Sequence, residues 1–142
     1  MSGFQTVVVG TDGSDSSLRA VDRAAQLASG LGATLIVASA YVPAGDHTET
    51  GGHRMSRDAP VHAILRDAKE RAQAAGASEI EERAIVGAPA DALVELADEV
   101  GADLLVVGNL GLNTIAGRLL GSVPANVSRR SKTDVMIVHT TG

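Results

Sequence analysis

Five short apolar runs punctuate the chain: Thr6–Val9, Thr34–Ser39, Ala84–Val86, Leu104–Val107 and Val135–Val138. They are rich in Val and Ile and lack polar alternation, the pattern of strands covered on both faces, as in a parallel sheet. The segments between them carry helical periodicity. Leu18, Val21, Ala25 and Ala28 form one stripe, Ile64, Leu65, Ala68, Ala72 and Ala75 a second, and Leu93, Leu96, Ala97 and Val100 a third. Each stripe gives a helix one face to bury. Ser14 or Asp15 is placed to cap the first helix, Gly30 and Gly32 to end it, Gly76 to end the second, and Pro89 to open the third. The order reads β-α-β-α-β-α-β-α-β, which predicts an α/β fold: a doubly wound, Rossmann-like, five-stranded parallel sheet with right-handed crossovers and helices on both faces. Ligands of such sheets sit beyond the strand C-terminal ends, where the strand order reverses. Pro43–Pro60, with three glycines and many polar residues, breaks the rhythm. It is expected to be a long loop, either a lid over the site or a tolerated surface insertion.

Length and composition narrow the function classes. A chain of 142 residues suits one domain, 1–142, with one core. A net charge of -5, one Tyr, one Phe and no Trp leave neither the basic surface nor the stacking platforms of nucleic-acid binders, so no nucleic-acid partner is expected. No apolar run approaches the roughly 20 residues of a membrane span. Met1–Gln5 has no basic n-region, so a cytoplasmic protein without a signal peptide or membrane partner is expected. With no cysteine, disulfides, thiolate metal sites and cysteine nucleophiles drop out.

The most informative segment is Val106-Val107-Gly108-Asn109-Leu110-Gly111, followed after nine residues by Gly121-Ser122-Val123-Pro124. A strand runs into a glycine turn, and a second glycine precedes a helix. Glycine at such points lets a ligand approach the main chain without a Cβ in the way. Ser122 is placed to be an N-cap with Pro124 in the first turn, so free amides and the positive helix end would face an anion, naturally a phosphate. The plain alternative is a turn followed by a cap. At the end of the first strand, Gly10-Thr11-Asp12-Gly13-Ser14 makes another polar glycine turn. In a doubly wound sheet the first and fourth strands are adjacent, which brings Asp12 towards Gly108. Asp12 can accept from ribose hydroxyls or an adenine amine, help hold a divalent cation, or merely order its own turn.

Val7-Val8-Val9-Gly10-Thr11-Asp12-Gly13-Ser14 together with Gly108-x2-Gly111-x9-Gly121-Ser122 resembles the universal stress protein family in its nucleotide-binding branch, over essentially the whole chain. The resemblance implies a strand order of 3-2-1-4-5 and an adenine-nucleotide site. By position, Gly108 and Gly111, with Val107 and Asn109 beside them, would flank ribose and phosphate. Gly121, Ser122 and Val123 would hold the phosphate, Asp12 beside Gly10 and Thr11 the nucleoside, and the Ala40 backbone the adenine edge. Two departures stand out. Leu110 occupies a position where many ATP-binding relatives carry a basic residue, leaving Arg118 as the sole cation from Gly108 to Ser122; Gly10 stands where relatives often carry Pro or Ala. A compact, singly charged cyclic phosphate suits such a site better than a triphosphate. The run Gly117–Arg130 is similar to the small actinobacterial, mycobacterial-type members associated with cyclic AMP. The expected ligand is therefore cyclic AMP first, and ATP second, with or without a divalent cation, in stress response and second-messenger sensing or buffering.

Other readings are weaker. The turn Gly10–Ser17 faintly resembles loops of ATP pyrophosphatases, but there is no Gly-x4-Gly-Lys-Ser/Thr loop and no Lys in either glycine turn. No catalytic residue is assigned, and slow ATP hydrolysis stays open. His47, His53 and His62 show no helix-spaced pair, so no metal site is expected, and His139 is read as a surface or interface residue. Glu79, Glu81 and Glu82 read as a solvated face, and Asp67, Lys69, Glu70 and Arg71 as the outer side of a helix. A dimeric interaction module without nucleotide is the third reading. The final strand would be an apolar edge needing cover, and in the resembling family it pairs with its twin, so a homodimer through Val135, Met136, Ile137 and Val138 is expected.

Overall fold

The computed structural model describes residues 5–41, 51–109 and 133–139, with 51–60 described by their backbone alone. The apolar runs become β1 (Thr6–Gly10), β2 (Thr34–Tyr41), β3 (Ile80–Val86), β4 (Leu104–Gly108) and β5 (Asp134–Val138). All pairings are parallel, in the order β3-β2-β1-β4-β5. The connecting helices are α1 (Asp15–Leu31), α2 (Gly51–Ala74) and α3 (Pro89–Val100). The expected fourth helix falls in 110–132, outside the described residues.

The order of the strands dictates the layers. From β1 to β3 the chain steps one way along the sheet, then it jumps back across β1 to β4. Right-handed crossovers therefore place α1 and α2 on one face and α3 on the other. Val7, Val9, Leu35, Val37 and Val106 pack against Val21, Ala24, Ala28, Val61, Leu65 and Ala68 on the first face. Val8, Ile36, Ala38, Leu105 and Val107 pack against Ala90, Leu93, Leu96 and Ala97 on the second. Alternate residues of one strand thus feed two cores, which is why the central strands need no polar position.

Two expectations need correction. Ala84–Val86 is not buried on both faces: β3 is an edge strand, Glu81, Glu82 and Ala84 are exposed, and Val86 is 56% exposed. Only β2 pairs with it, so its outer side faces solvent, and the glutamates are the solvated residues expected of an open edge. The stretch 43–60 is not one loop either, because α2 already begins at Gly51. Gly51, Gly52 and Pro60 read as breakers, yet propensity is a weak preference that a helix docked along its apolar stripe overrides. Residues 43–50 lie outside the described residues. The caps follow expectation: Ser14 caps α1 by accepting from Ser17 N, and Gly32 and Gly101 close α1 and α3 in the left-handed conformation.

At the end of the sheet away from the strand C-termini, Asp103 ties β1 to β4. Its Oδ2 accepts from Gln5 N at 2.7 Å and Thr6 N at 3.0 Å, while Asp103 N donates to Thr6 O at 2.9 Å. The Gln5 and then the Thr6 hydrogen bond hold its carboxyl below the usual aspartate range. A depressed native value means that the ionised form favours folding. The contribution is complete above the ordinary aspartate value of about 3.9 and is lost as pH falls through the lowered native value. Replacing Asp103 by Ala is expected to lower the melting temperature at pH 7, with the gap to wild type narrowing below about pH 4. Thermal melts across that range check it; a gap that does not change with pH overturns the assignment.

Candidate functional site

β1 leaves the sheet through the turn Thr11–Ser14, and four successive main-chain donors there are engaged. Thr11 N donates to Ala38 O at 2.9 Å, Asp12 N to Ser17 Oγ at 3.2 Å, Gly13 N to Thr11 Oγ1 at 3.1 Å and Ser14 N to Asp12 Oδ1 at 3.0 Å. A turn with its amides spent in this way is no phosphate nest. What it can offer a ligand is an acceptor, the Asp12 carboxylate. A carboxylate has roughly four acceptor sites, so the Ser14 bond sets its direction without exhausting its capacity. Asp12 thus does order its own turn, as one of the open readings held, and this is compatible with a ligand role.

The turn is built on buried hydroxyls. Thr11 is 1% exposed and Ser17 fully buried; their oxygens lie 2.8 Å apart. Ser17 Oγ also lies 3.0 Å from Ser14 O and 3.2 Å from Ser14 Oγ, and either hydroxyl of the Thr11–Ser17 pair can supply the proton between them. Gly13 is required here: its φ of +86° is strained for a side chain, and a Cβ would meet Ile64 Cγ1 of α2 at 3.1 Å. The β1–α1 turn is therefore wedged between the sheet and α2.

The Thr11 side chain accordingly ties the turn together, a role that its place in a glycine-rich motif conceals. Gly10 pairs with Ala38 inside the sheet and is buried. On β2, even-numbered residues direct their main-chain groups towards β1, as Thr34 N to Gln5 O and Ala38 O to Thr11 N show. Odd-numbered residues face β3, as Leu35 N to Glu79 O and Gly87 N to Tyr41 O show. Ala40 therefore points its N–H and C=O to the β1 side just where β1 has turned away. Its side chain is only a methyl, 5% exposed, so the main chain is its principal polar offering.

The second turn starts from β4, the neighbour of β1 on the other side. Val107 is fully buried, Gly108 pairs with Val138 of β5, and Asn109 N donates to Val138 O at 2.9 Å. The Asn109 amide is thus committed to the sheet. The sheet brings Gly10, Thr11, Asp12, Ala40, Val107, Gly108 and Asn109 to one edge, the C-terminal ends of β1, β2 and β4, where the strand order reverses. Gly111, Gly121, Ser122 and Val123 lie outside the described residues. His62 is exposed on α2. Sequence reasoning missed the Ser17 hydroxyl; a Ser three residues after the N-cap, with an apolar stripe around it, was the available signal. Arg71 is exposed on α2, as expected of its outer side, and also bridges to Asp22 of α1 at 2.8 and 3.0 Å.

Among the described residues no helix is long and apolar enough to cross a membrane. The family model for the universal stress protein family matches residues 3–139. A universal stress protein of Mycobacterium tuberculosis is 67% identical over 99% of this chain and 100% of its own length. A universal stress protein solved in complex with cAMP is 68% identical, with a TM-score of 0.80 over 99% of this chain and 100% of that one. One from Archaeoglobus fulgidus, solved in complex with dAMP, is 27% identical, with a TM-score of 0.72 over 96% of this chain and 98% of that one. A sheet of order β3-β2-β1-β4-β5 with two strand-end turns at its reversal point, and a match along nearly the whole length, establish that this chain belongs to the universal stress protein family.

Proposed function

We propose that this chain binds an adenine nucleotide beyond the ends of β1 and β4, with cyclic AMP preferred over ATP, and serves in sensing or buffering a second messenger. The observation that carries the proposal is the relative of 68% identity solved in complex with cAMP. The described geometry supports a division of labour. Asp12, an acceptor in a turn whose amides are spent, serves the ribose hydroxyls or adenine amine. Ala40 offers its main-chain donor and acceptor to the adenine edge. The phosphate falls to the glycine-rich stretch, through Gly108, Gly111, Gly121, Ser122 and Val123, with Val107 and Asn109 flanking it. Arg118 is the sole cation between Gly108 and Ser122, which suits one negative charge better than the several of ATP. ATP as second ligand would then need a divalent cation more than cyclic AMP does. A cytoplasmic location belongs to the same reading, since both nucleotides are intracellular metabolites.

A second proposal concerns assembly. β5 is the other edge of the sheet, and Ile137 on it is 41% exposed while Val138 is buried and Val135 and Met136 are partly buried. An apolar residue on an open strand edge favours a cover, so we infer a homodimer across β5, with Ile137 as its apolar contact and the other three residues setting the edge geometry.

Titration calorimetry with both ligands is expected to show tighter binding of cyclic AMP. Asp12→Asn keeps an acceptor for Ser14 N but loses the charge, and is expected to weaken binding by about tenfold while leaving the fold intact. Tighter ATP binding, or an unchanged affinity in a folded variant, overturns the respective part. For assembly, light scattering of the wild type is expected to give a dimer at micromolar concentration, and Ile137→Asp a folded monomer. A monomeric wild type removes the interface.

A further inference from the structure

Ser39 is 1% exposed, and its Oγ has no hydrogen-bond partner, the sole such buried side-chain atom among the described residues. Leaving a buried hydroxyl unsatisfied is costly, and such groups call for a reason. Its position supplies one. Ser39 is the residue before Ala40. Like Leu35 and Val37 it directs its side chain to the face covered by α1 and α2. The register Val9↔Val37 and Gly10↔Ala38, continued by the Thr11 N to Ala38 O bond, makes Thr11 the lateral neighbour of Ser39. Val7 and Val9 show that Thr11 faces the same side.

The hydroxyl accounting leaves one complementary pair. Thr11 Oγ1 accepts from Gly13 N and shares one proton with Ser17 Oγ, so whichever of the two donates, Thr11 keeps one lone pair or its own proton for one more bond. Ser39 has a proton with no acceptor. Neighbouring strands lie about 4.8 Å apart, so a small movement of the turn brings the two oxygens within bonding distance. Thr11 anchors Gly13, and through Ser17 the amide of Asp12, the residue proposed to hold the nucleoside.

We propose that Ser39 is a positioning residue for the nucleotide site: its hydroxyl bonds to Thr11 Oγ1 when the turn Thr11–Ser14 draws in around the bound nucleotide, fixing the direction of Asp12. The inference rests on the nucleotide reading above and adds to it a residue that touches no ligand. It separates two effects that usually run together. Without nucleotide, Ser39→Ala removes an orphaned polar group and raises the melting temperature. With nucleotide, it removes a hydrogen bond and weakens binding.

The test is Ser39→Ala in the full chain, followed by thermal melts with and without cyclic AMP and by calorimetry. The expected result is a higher melting temperature without nucleotide, a smaller rise on adding it, and a dissociation constant raised about three- to tenfold, the effect of one net hydrogen bond. Combined with Asp12→Asn, the loss should fall short of the product of the single losses, because both act through one turn. A folded Ser39→Ala protein with wild-type affinity, or strictly multiplicative losses, overturns the role of Ser39 alone. A wild type that binds neither cyclic AMP nor ATP removes the nucleotide reading, and the role with it.

Discussion

β1 is hydrogen-bonded on both sides, to β2 and to β4, and its last bond to β2 runs from Thr11 N to Ala38 O. β2 continues three residues beyond Ala38, to Tyr41, with β3 still paired beside it. β1 departs early. It leaves Ala40 with its main chain directed at the place β1 has vacated, while the turn that carries β1 away sets Asp12 at the rim. Gly108 and Asn109 close the other side, because β4 remains paired to β5 up to its end. The sheet order is what forces β1 to leave: α1 must rise to one face, and the chain must later return to the other face to place β4 on the opposite flank.

Much of this was legible because the sequence states it in the plainest physical terms. A run such as Val7-Val8-Val9 feeding two cores admits no polar residue, so the central strands appear as unbroken apolar stretches. Ser14 and Gly32 announce the ends of α1 through groups that helix termini require. The edges were harder. Ala84–Val86 has the composition of a covered strand, but exposure there is decided by the absence of a neighbour on one side, which no local pattern encodes. The beginning of α2 at Gly51 was hidden for the opposite reason: local breakers are present, and a helix forms through them. Hydrogen-bond commitments were least visible. Nothing in Gly10-Thr11-Asp12-Gly13-Ser14 says that its amides are consumed internally, since this depends on Ser17 folding back and on Ala38 arriving from another strand.

That consumption sets the chemistry of the first glycine turn. A glycine turn with unspent amides attracts anions; one with amides spent on a buried hydroxyl and a carboxylate presents acceptors and repels them. On the proposed reading this asymmetry orients the nucleotide, base and sugar towards β1 and β2, phosphate towards the segment after β4. A carboxylate at Asp12 would disfavour the reverse orientation by charge alone. It would also disfavour a polyphosphate folding back over β1, which adds a reason for a compact ligand independent of the missing basic residue at Leu110.

The hydroxyls of Thr11, Ser17 and Ser39 occupy the face that elsewhere takes Val and Leu, at the level where the sheet meets the first turn of α1. Apolar residues of similar size at these places would pack as well and avoid the desolvation of three polar groups. Two of the three are repaid within the protein, since Thr11 and Ser17 tie the turn that Gly13 and Ile64 wedge in place. The third is not, and an interior that satisfies every neighbour but leaves Ser39 unbonded is a mismatch of the kind that concentrates at working sites. A bond that forms only when the turn is drawn inward contributes nothing to the resting fold and adds its full worth to the ligand-bound one. In a domain whose binding groups sit on a short turn, such a bond lets ligand affinity change at one residue without touching the sheet that holds the turn.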